Sequence, residues 1–458
     1  MIDTAIKNCK VVSPTDIRDV GIGIDKGVVV AVDVDDNLPQ ARETIDAAGK
    51  HVLPGIIDVH VHCGLYHPYE EEITDMSAAA YGGITTIGCY VSLGVSSGNG
   101  PFAQTFQNRK SVWEKNAVVD AFFHGGMLTE CTAEDIMNNA RNYGVTSYKF
   151  MLTRKGTEVA AKGGQVADDG FLLDNFSNIA RLGKAGLAIC HAENIEVISR
   201  IMPKIQRTGR QDLAAWAEAR PGYCETLDVI RASSIAKLAG CRIYFVHQHY
   251  PDSIQAINRA KADGIDVIAE TCPQYLVLNA QSDIPAPYGR INPPLRDKAS
   301  NEGLWRGIID GSITCVGSDH CSVTKDRAQD LWTAPSGMPG VETFFPILLS
   351  EGVSKGRMGL QKLVELLCYN NARTFGIYPR KGTISIGSDA DIIVVDLNKR
   401  VKLSHADSHY SVSNYCPYEG WEVQGWPVLT MLRGNVIMKD GRLLAKPGTG
   451  KYIPRPFN

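Results

Sequence analysis

The sequence predicts an α/β protein, a (β/α)₈ barrel over residues 52–378 joined to a small β-sandwich domain formed by both termini. Three observations predict it. Between Val52 and Phe375, apolar β-branched runs of strand length alternate with polar punctuation and longer segments of helical spacing, the pattern of parallel strands joined by crossover helices. Residues able to ligate a metal recur at or near the carboxyl ends of those runs, where the loops of a barrel build its mouth. Residues 1–51 and 379–445 share a different texture, short apolar runs cut by turn residues.

In chain order the barrel strands are expected at Ile56–His62, Thr85–Tyr90, Val118–His124, Ser147–Leu152, Leu187–His191, Arg242–His247, Asp266–Thr271 and Ile313–Asp319. A segment such as Asp212–Ala219, with helix formers and an apolar stripe, reads as an outer barrel helix. Val28-Val29-Val30-Ala31-Val32 near the start and Ile392-Ile393-Val394-Val395-Asp396, which follows Gly387-Ser388-Asp389-Ala390-Asp391, read as short strands, and the two termini are expected to join into one small β-domain. Residues 446–458, rich in Pro, Gly and Lys, are expected to be a mobile tail or an arm on a neighbouring subunit.

Composition narrows the partners. With 458 residues, 44% hydrophobic, the chain suits one large domain plus a smaller one. The 47 basic residues against 50 acidic leave a net charge of -3, no bulk reason to bind nucleic acid or an anionic membrane. A small molecule is the expected partner. The start carries no basic region followed by a long apolar core, and no run approaches the length of a membrane span, so a cytoplasmic protein is expected. The 12 cysteines form no Cys-x-x-Cys pair; reduced core packing is their expected role, with Cys63 and Cys321, which closely follow ligand candidates, as pocket-lining candidates.

The chemistry begins at Asp58-Val59-His60-Val61-His62. Strand alternation puts both imidazoles on one side, where two neutral rings can hold a divalent ion. His191 opens His191-Ala192-Glu193-Asn194 after an apolar run and His247 closes Ile243-Tyr244-Phe245-Val246, presenting two further imidazoles in the same way. Lys149 in Ser147-Tyr148-Lys149-Phe150-Met151 would aim a cation at the same mouth. An ammonium beside a metal ion is repelled, but a neutral amine that takes up carbon dioxide becomes an anionic carbamate able to bridge two ions. Asp319, ending Cys315-Val316-Gly317-Ser318-Asp319, can bind a metal and accept a proton from water. His320 beside it reads equally as a supporting or a structural residue.

At these residues the chain resembles the amidohydrolase superfamily, in the cyclic-amide branch of hydantoinases, dihydropyrimidinases, allantoinases and dihydroorotases. The resemblance covers nearly the whole chain. It rests on Asp-x-His-x-His, Lys149, His191-Ala-Glu-Asn, Glu270-Thr271-Cys272-Pro273-Gln274-Tyr275, Gly317-Ser318-Asp319-His320 and the closing Gly-Ser-Asp-Ala-Asp. It implies two divalent ions, most often zinc, with His60, His62 and Asp319 on one, His191 and His247 on the other, and N6-carboxylated Lys149 between them. It further implies a bridging hydroxide as nucleophile, Asp319 as the proton carrier, an N-carbamoyl product, and a homotetramer or homodimer. A mononuclear deaminase would lack the lysine, and a non-catalytic scaffold would have lost ligands; all six positions persist here.

Departures from the family pattern bear on the substrate. Gly64 stands where similar dihydroorotases carry a carboxylate-gripping arginine, Arg154 where hydantoinases carry an oxyanion-binding tyrosine, and Ser336 where an asparagine is usual. Gln248-His249-Tyr250 replaces small polar residues after His247. The resemblance implies that backbone atoms of the strand-seven and strand-eight loops read the substrate amides, which makes Asn292 and Ser336 expected contacts; Arg154, able to bind an oxyanion or an acidic substituent, is expected beside them, as are Cys63 and Cys321.

Overall fold

The computed structural model describes residues 1–90, 102–126, 131–153 and 167–457. Its central sheet is all parallel and runs in sequence order: β1 (Ile56–His62), β2 (Ile84–Tyr90), β3 (Asp120–Gly126), β4 (Ser147–Met151), β5 (Leu187–His191), β6 (Ile243–Phe245), β7 (Val267–Thr271) and β8 (Cys315–Val316). A two-residue strand, β9 (His320–Cys321), pairs in parallel with β1. The eighth strand of the barrel is thus split. Its first half pairs with β7 and its second half with β1, and Gly317-Ser318-Asp319 bends between the two halves where one continuous strand was expected.

Two local features explain the bend. A Cβ on Gly317 would lie 2.6 Å from the His60 Cβ, so only glycine lets β1 and the eighth strand approach this closely. Asp319 adopts φ +52, a left-handed conformation that no strand continues through.

The barrel interior is filled by Ile57, Val59, Tyr90, Phe122, Ile189, Tyr244, Val246 and Ile268, and it is closed below by Phe375, Ile377 and Ile453. A larger apolar layer between strands and outer helices surrounds it. Helix starts are closed by side-chain caps: Asn194, Asp212 and Asp297 accept from Val197, Ala215 and Ser300 backbone N–H groups. The helix expected at 212–219 therefore starts at Leu213, with Asp212 as its cap.

Both termini build the small domain. Ile392–Lys402 pairs with His51–Pro54, which pairs with Lys10–Val12, while Ile2–Lys7, Gly21–Asp25, Val28–Asp33 and Ala41–Asp46 form a second sheet. An apolar core including Ile6, Ile22, Val52, Ile392 and Met431 lies between them.

The last residues correct an expectation. They pack on this chain's own barrel: Ile453 N donates to Ala121 O at 2.7 Å, and buried Arg455 donates to Ser147 Oγ at 2.6 Å and Phe123 O at 2.7 Å. The apolar Tyr452 and Ile453, set among Pro and Lys, supply the burial that composition alone concealed.

Candidate metal centre

A shift in strand register places the first two imidazoles. Ile57 and Val59 point into the barrel, whereas Val61 packs in the outer apolar layer. The pairing of β1 with β2 slips between Asp58 and Val61, and that slip changes which parity faces inward. His60 and His62 consequently share the inner side, with ring centroids 5.3 Å apart.

Asp319 meets them from the bend. Its Oδ1 lies 3.1 Å from His60 Nε2 and 3.2 Å from His62 Nε2, and these three side chains can converge on one ion. His60 Nε2 is buried and, despite the short distance, lacks the alignment of a hydrogen bond. Burial opposes ionisation of Asp319, yet His60 and His62 hold its carboxyl well below the usual carboxylate range.

His247 and His191 complete the cluster. Their rings are 4.3 Å apart, and His247 lies 5.4 Å from His60. His247 adopts φ +39, so two of the candidate ligands sit on strained backbone, as functional side chains often do. Its Nδ1 is buried without a partner. Burial lowers the pKa of both rings, which favours the neutral imidazole a metal requires.

Carboxylates behind the rings fix their orientation. Glu270 Oε1 lies 2.7 Å from His60 Nδ1 and accepts the His247 backbone N–H at 2.9 Å, while the Tyr244 hydroxyl donates to Oε2 at 2.7 Å. With the proton on Nδ1, His60 presents the Nε2 lone pair toward Asp319. Glu193 orients His191 through the other ring nitrogen, its Oε2 lying 2.7 Å from Nε2, and is itself held by Arg220. His191-Ala192-Glu193-Asn194 thereby gains a physical reading: a ligand, its orienting acid, and the cap of the next helix.

Glu270→Gln is expected to weaken divalent-ion affinity by about 10- to 100-fold. Competition against a graded chelator measures this without reference to turnover. Unchanged affinity would reduce Glu270 to a packing residue.

Lys149 is buried, and its Nζ lies 4.5 Å from the Tyr90 ring centroid. Among the described residues Nζ has no hydrogen bond or ion pair. Burial pulls its pKa down to about 8, against the attraction of Asp319 and Glu270, so neutral amine is available near neutrality.

The substrate candidates divide. Asn292 and Ser336 come together, Asn292 Nδ2 donating to Ser336 Oγ at 3.2 Å, with Asn292 Oδ1 buried and unpartnered. Arg154 lies outside the described residues. Cys63 is buried in the outer apolar layer beside Cys89 and Tyr69, and Cys321 packs with Val323 and Tyr415 beneath Gly337. Both follow ligand strands, but their side chains fill apolar gaps. His320 is structural, its Nδ1 accepting from Gly340 N at 2.9 Å and its Nε2 3.1 Å from Ser322 Oγ. Gly64 has φ +79, a turn that disfavours any side chain.

Sequence reasoning gave no role to Glu270 as an orienting acid, to the Glu193–Arg220 pair, or to Tyr90 beside the lysine. Glu270 was visible in its motif, but its partners are distant in sequence.

A parallel barrel whose mouth gathers four imidazoles, a carboxylate and a buried lysine is the frame of a metal-dependent hydrolase. The sequence profile of the amidohydrolase family matches residues 191–437. An L-hydantoinase of Paenarthrobacter aurescens is 34% identical, covering 99% of this chain and 98% of its own length. A D-hydantoinase of Geobacillus stearothermophilus is 33% identical over 98% of this chain and 96% of its own. The crystal structure of a dihydropyrimidinase from Brevibacillus agri superposes with TM-score 0.89 and 30% identity, covering 99% of each chain. The chain belongs to the amidohydrolase family, as a cyclic amidohydrolase of its hydantoinase and dihydropyrimidinase branch.

Proposed function

We propose that this protein hydrolyses a ring C–N bond of a hydantoin or dihydropyrimidine to an N-carbamoyl amino acid, at a two-metal centre held by His60, His62, Lys149, His191, His247 and Asp319. The observation that carries this reading is the convergence of His60 Nε2 and His62 Nε2 on Asp319 Oδ1, 3.1 and 3.2 Å away, with a buried, unpartnered nitrogen on His247. Such a nitrogen is costly to bury unless something binds it.

Two divalent ions, zinc by resemblance, would supply Lewis acidity toward the ring carbonyl and acidify the attacking water. His60, His62 and Asp319 would hold one ion, and His191 and His247 the other. The neutral Lys149 amine would add to the carbon of carbon dioxide and shed one proton, and the carbamate would offer its anionic oxygens as ligands. Asp319, kept ionised by its two histidines, takes the proton of the attacking water and returns it to the departing ring nitrogen. Asn292 and Ser336 hold the ring amide, and Arg154 takes the place of the family's tyrosine. A cytoplasmic homotetramer completes the reading. All 12 cysteines are free thiols, which agrees with a reducing compartment, and no helix among the described residues is long and apolar enough to cross a membrane.

The test is a ring-opening panel of metal-loaded protein on both hands of 5-substituted hydantoins, dihydrouracil, allantoin and dihydroorotate. A hydantoin or dihydrouracil is expected to lead the others by at least about tenfold in kcat/KM. A lead by allantoin or dihydroorotate, or no opening of any ring, would sink the substrate assignment. Identical profiles for wild type and Arg154→Tyr would remove Arg154 from it.

A further inference from the structure

The segment after β9 carries a buried cation without an acid beside it. Lys325 is 2% exposed, and among the described residues no carboxylate forms an ion pair with it. Its Nζ donates instead to three main-chain carbonyls, Pro287 O at 2.9 Å, Arg290 O at 3.0 Å and Tyr288 O at 3.4 Å. These carbonyls close the short helix Ala286–Gly289, just before Asn292. The Arg290 carbonyl also accepts Gly337 N at 3.2 Å, just after Ser336. One ammonium thus sits where the two candidate substrate loops are tied together.

A segment of the C-terminal region holds Lys325 in place. Lys325 N donates to Asn414 Oδ1 and Asn414 Nδ2 donates to Lys325 O, both at 3.0 Å. The next residue, Tyr415, stacks on Tyr288 at 4.4 Å and donates to Gly337 O at 3.1 Å. Burying an ammonium costs several kcal/mol, and an apolar side chain of similar size would fill the space without that cost. The three aimed N–H bonds are what an apolar side chain cannot supply.

We propose that Lys325 is a positioning residue for substrate binding: by capping the Pro287, Tyr288 and Arg290 carbonyls it sets the spacing of Asn292 and Ser336 around the ring amide. This rests on the reading that Asn292 and Ser336 hold the ring. A pH dependence follows from the surroundings. The groups facing Lys325 are Arg290 and Tyr288 from the helix end, Cys321 from β9 and Tyr415 from the C-terminal segment, while Asp326 turns away to accept from Ala328 N. Burial pulls Lys325 down to about 7 with Arg290 adding to the effect, whereas Cys321 and Tyr415 are raised by burial and Arg290, lowered by burial to about 10, remains charged. Above about pH 7 the amine keeps two hydrogens for three carbonyls, and the clamp loosens.

Lys325→Met and Lys325→Gln would be compared with wild type from about pH 6 to about pH 8 on the best substrate among hydantoin, 5-phenylhydantoin and dihydrouracil. At the acid end Lys325→Met is expected to raise KM about tenfold with kcat and bound metal unchanged, and Lys325→Gln to recover part of the loss. The variant-to-wild-type ratio of KM should fall toward one as pH rises through about 7, and titrations of the metal centre cancel in that ratio. Unchanged KM at the acid end, a ratio independent of pH, or a parallel loss of kcat and metal would overturn the proposal. If Lys325→Met fails to fold, Lys325→Gln carries the same comparison. Asn292→Ala separates the two readings: raised KM there with unaltered Lys325 variants sinks the role of Lys325 alone, and unchanged KM in Asn292→Ala sinks both.

Discussion

Lys149→Ala is expected to lower kcat/KM for ring opening by about 10³-fold, the equivalent of the roughly 4 kcal/mol a two-metal centre contributes to stabilising charge in the transition state. The size follows from the surroundings. Lys149 is buried on β4 beside the Tyr90 ring, and among the described residues it has no hydrogen bond or ion pair. Four imidazoles and one carboxylate would remain. They suffice for one ion, and metal retained after dialysis should fall toward one per chain. Adding a small carboxylate such as propionate should restore part of the activity, because it supplies the two oxygens the carbamate would have supplied. Isotopically labelled bicarbonate should give a carbamate carbonyl signal in wild type and none in the variant. Full activity and two bound ions in Lys149→Ala would end the bridging role.

The sequence made the barrel legible because each strand is a compact apolar run and each ligand sits near its end. The same runs could not reveal the register slip in β1. Strict alternation that buries Ile57 and Val59 inside would send His60 and His62 outward, and only the irregularity between Asp58 and Val61 reconciles both facts. The split eighth strand was hidden for a related reason: Gly317 reads as an ordinary strand glycine until the His60 Cβ is seen against it. Glu193 was legible as part of a motif, but its partner Arg220 follows a separate helix. The C-terminal residues misled by composition, since Pro, Gly and Lys report on turns and solvent and a few buried side chains decide the packing.

Lys381→Met is expected to destabilise the fold by about 3–5 kcal/mol, the cost of leaving buried charge uncompensated. Lys381 is fully buried, its Nζ 2.7 Å from Asp120, 3.1 Å from Asp389 and 2.5 Å from Asp391. Asp120 begins β3 of the barrel, whereas Asp389 and Asp391 belong to the C-terminal region that enters the small domain. Arg433 forms a second ion pair with Asp120, and Arg380 Nε lies 3.0 Å from Asp389, so the cluster holds three acids and three bases. Although such an acidic trio could suit a metal, the lysine ammonium already fills it. Burial opposes both ionisations, yet Lys381 and Arg433 hold Asp120 below its usual pKa, and the three acids raise that of Lys381. The stabilisation from Asp120 is present above its unfolded pKa and is lost as acid protonates it. In Lys381→Met the abandoned carboxylates take up protons more readily, so the difference from wild type should narrow between about pH 7 and about pH 5. Denaturant unfolding at both pH values measures it. An equal loss at both would assign the effect to packing rather than to charge, because a methionine in the same cavity changes shape identically at either pH.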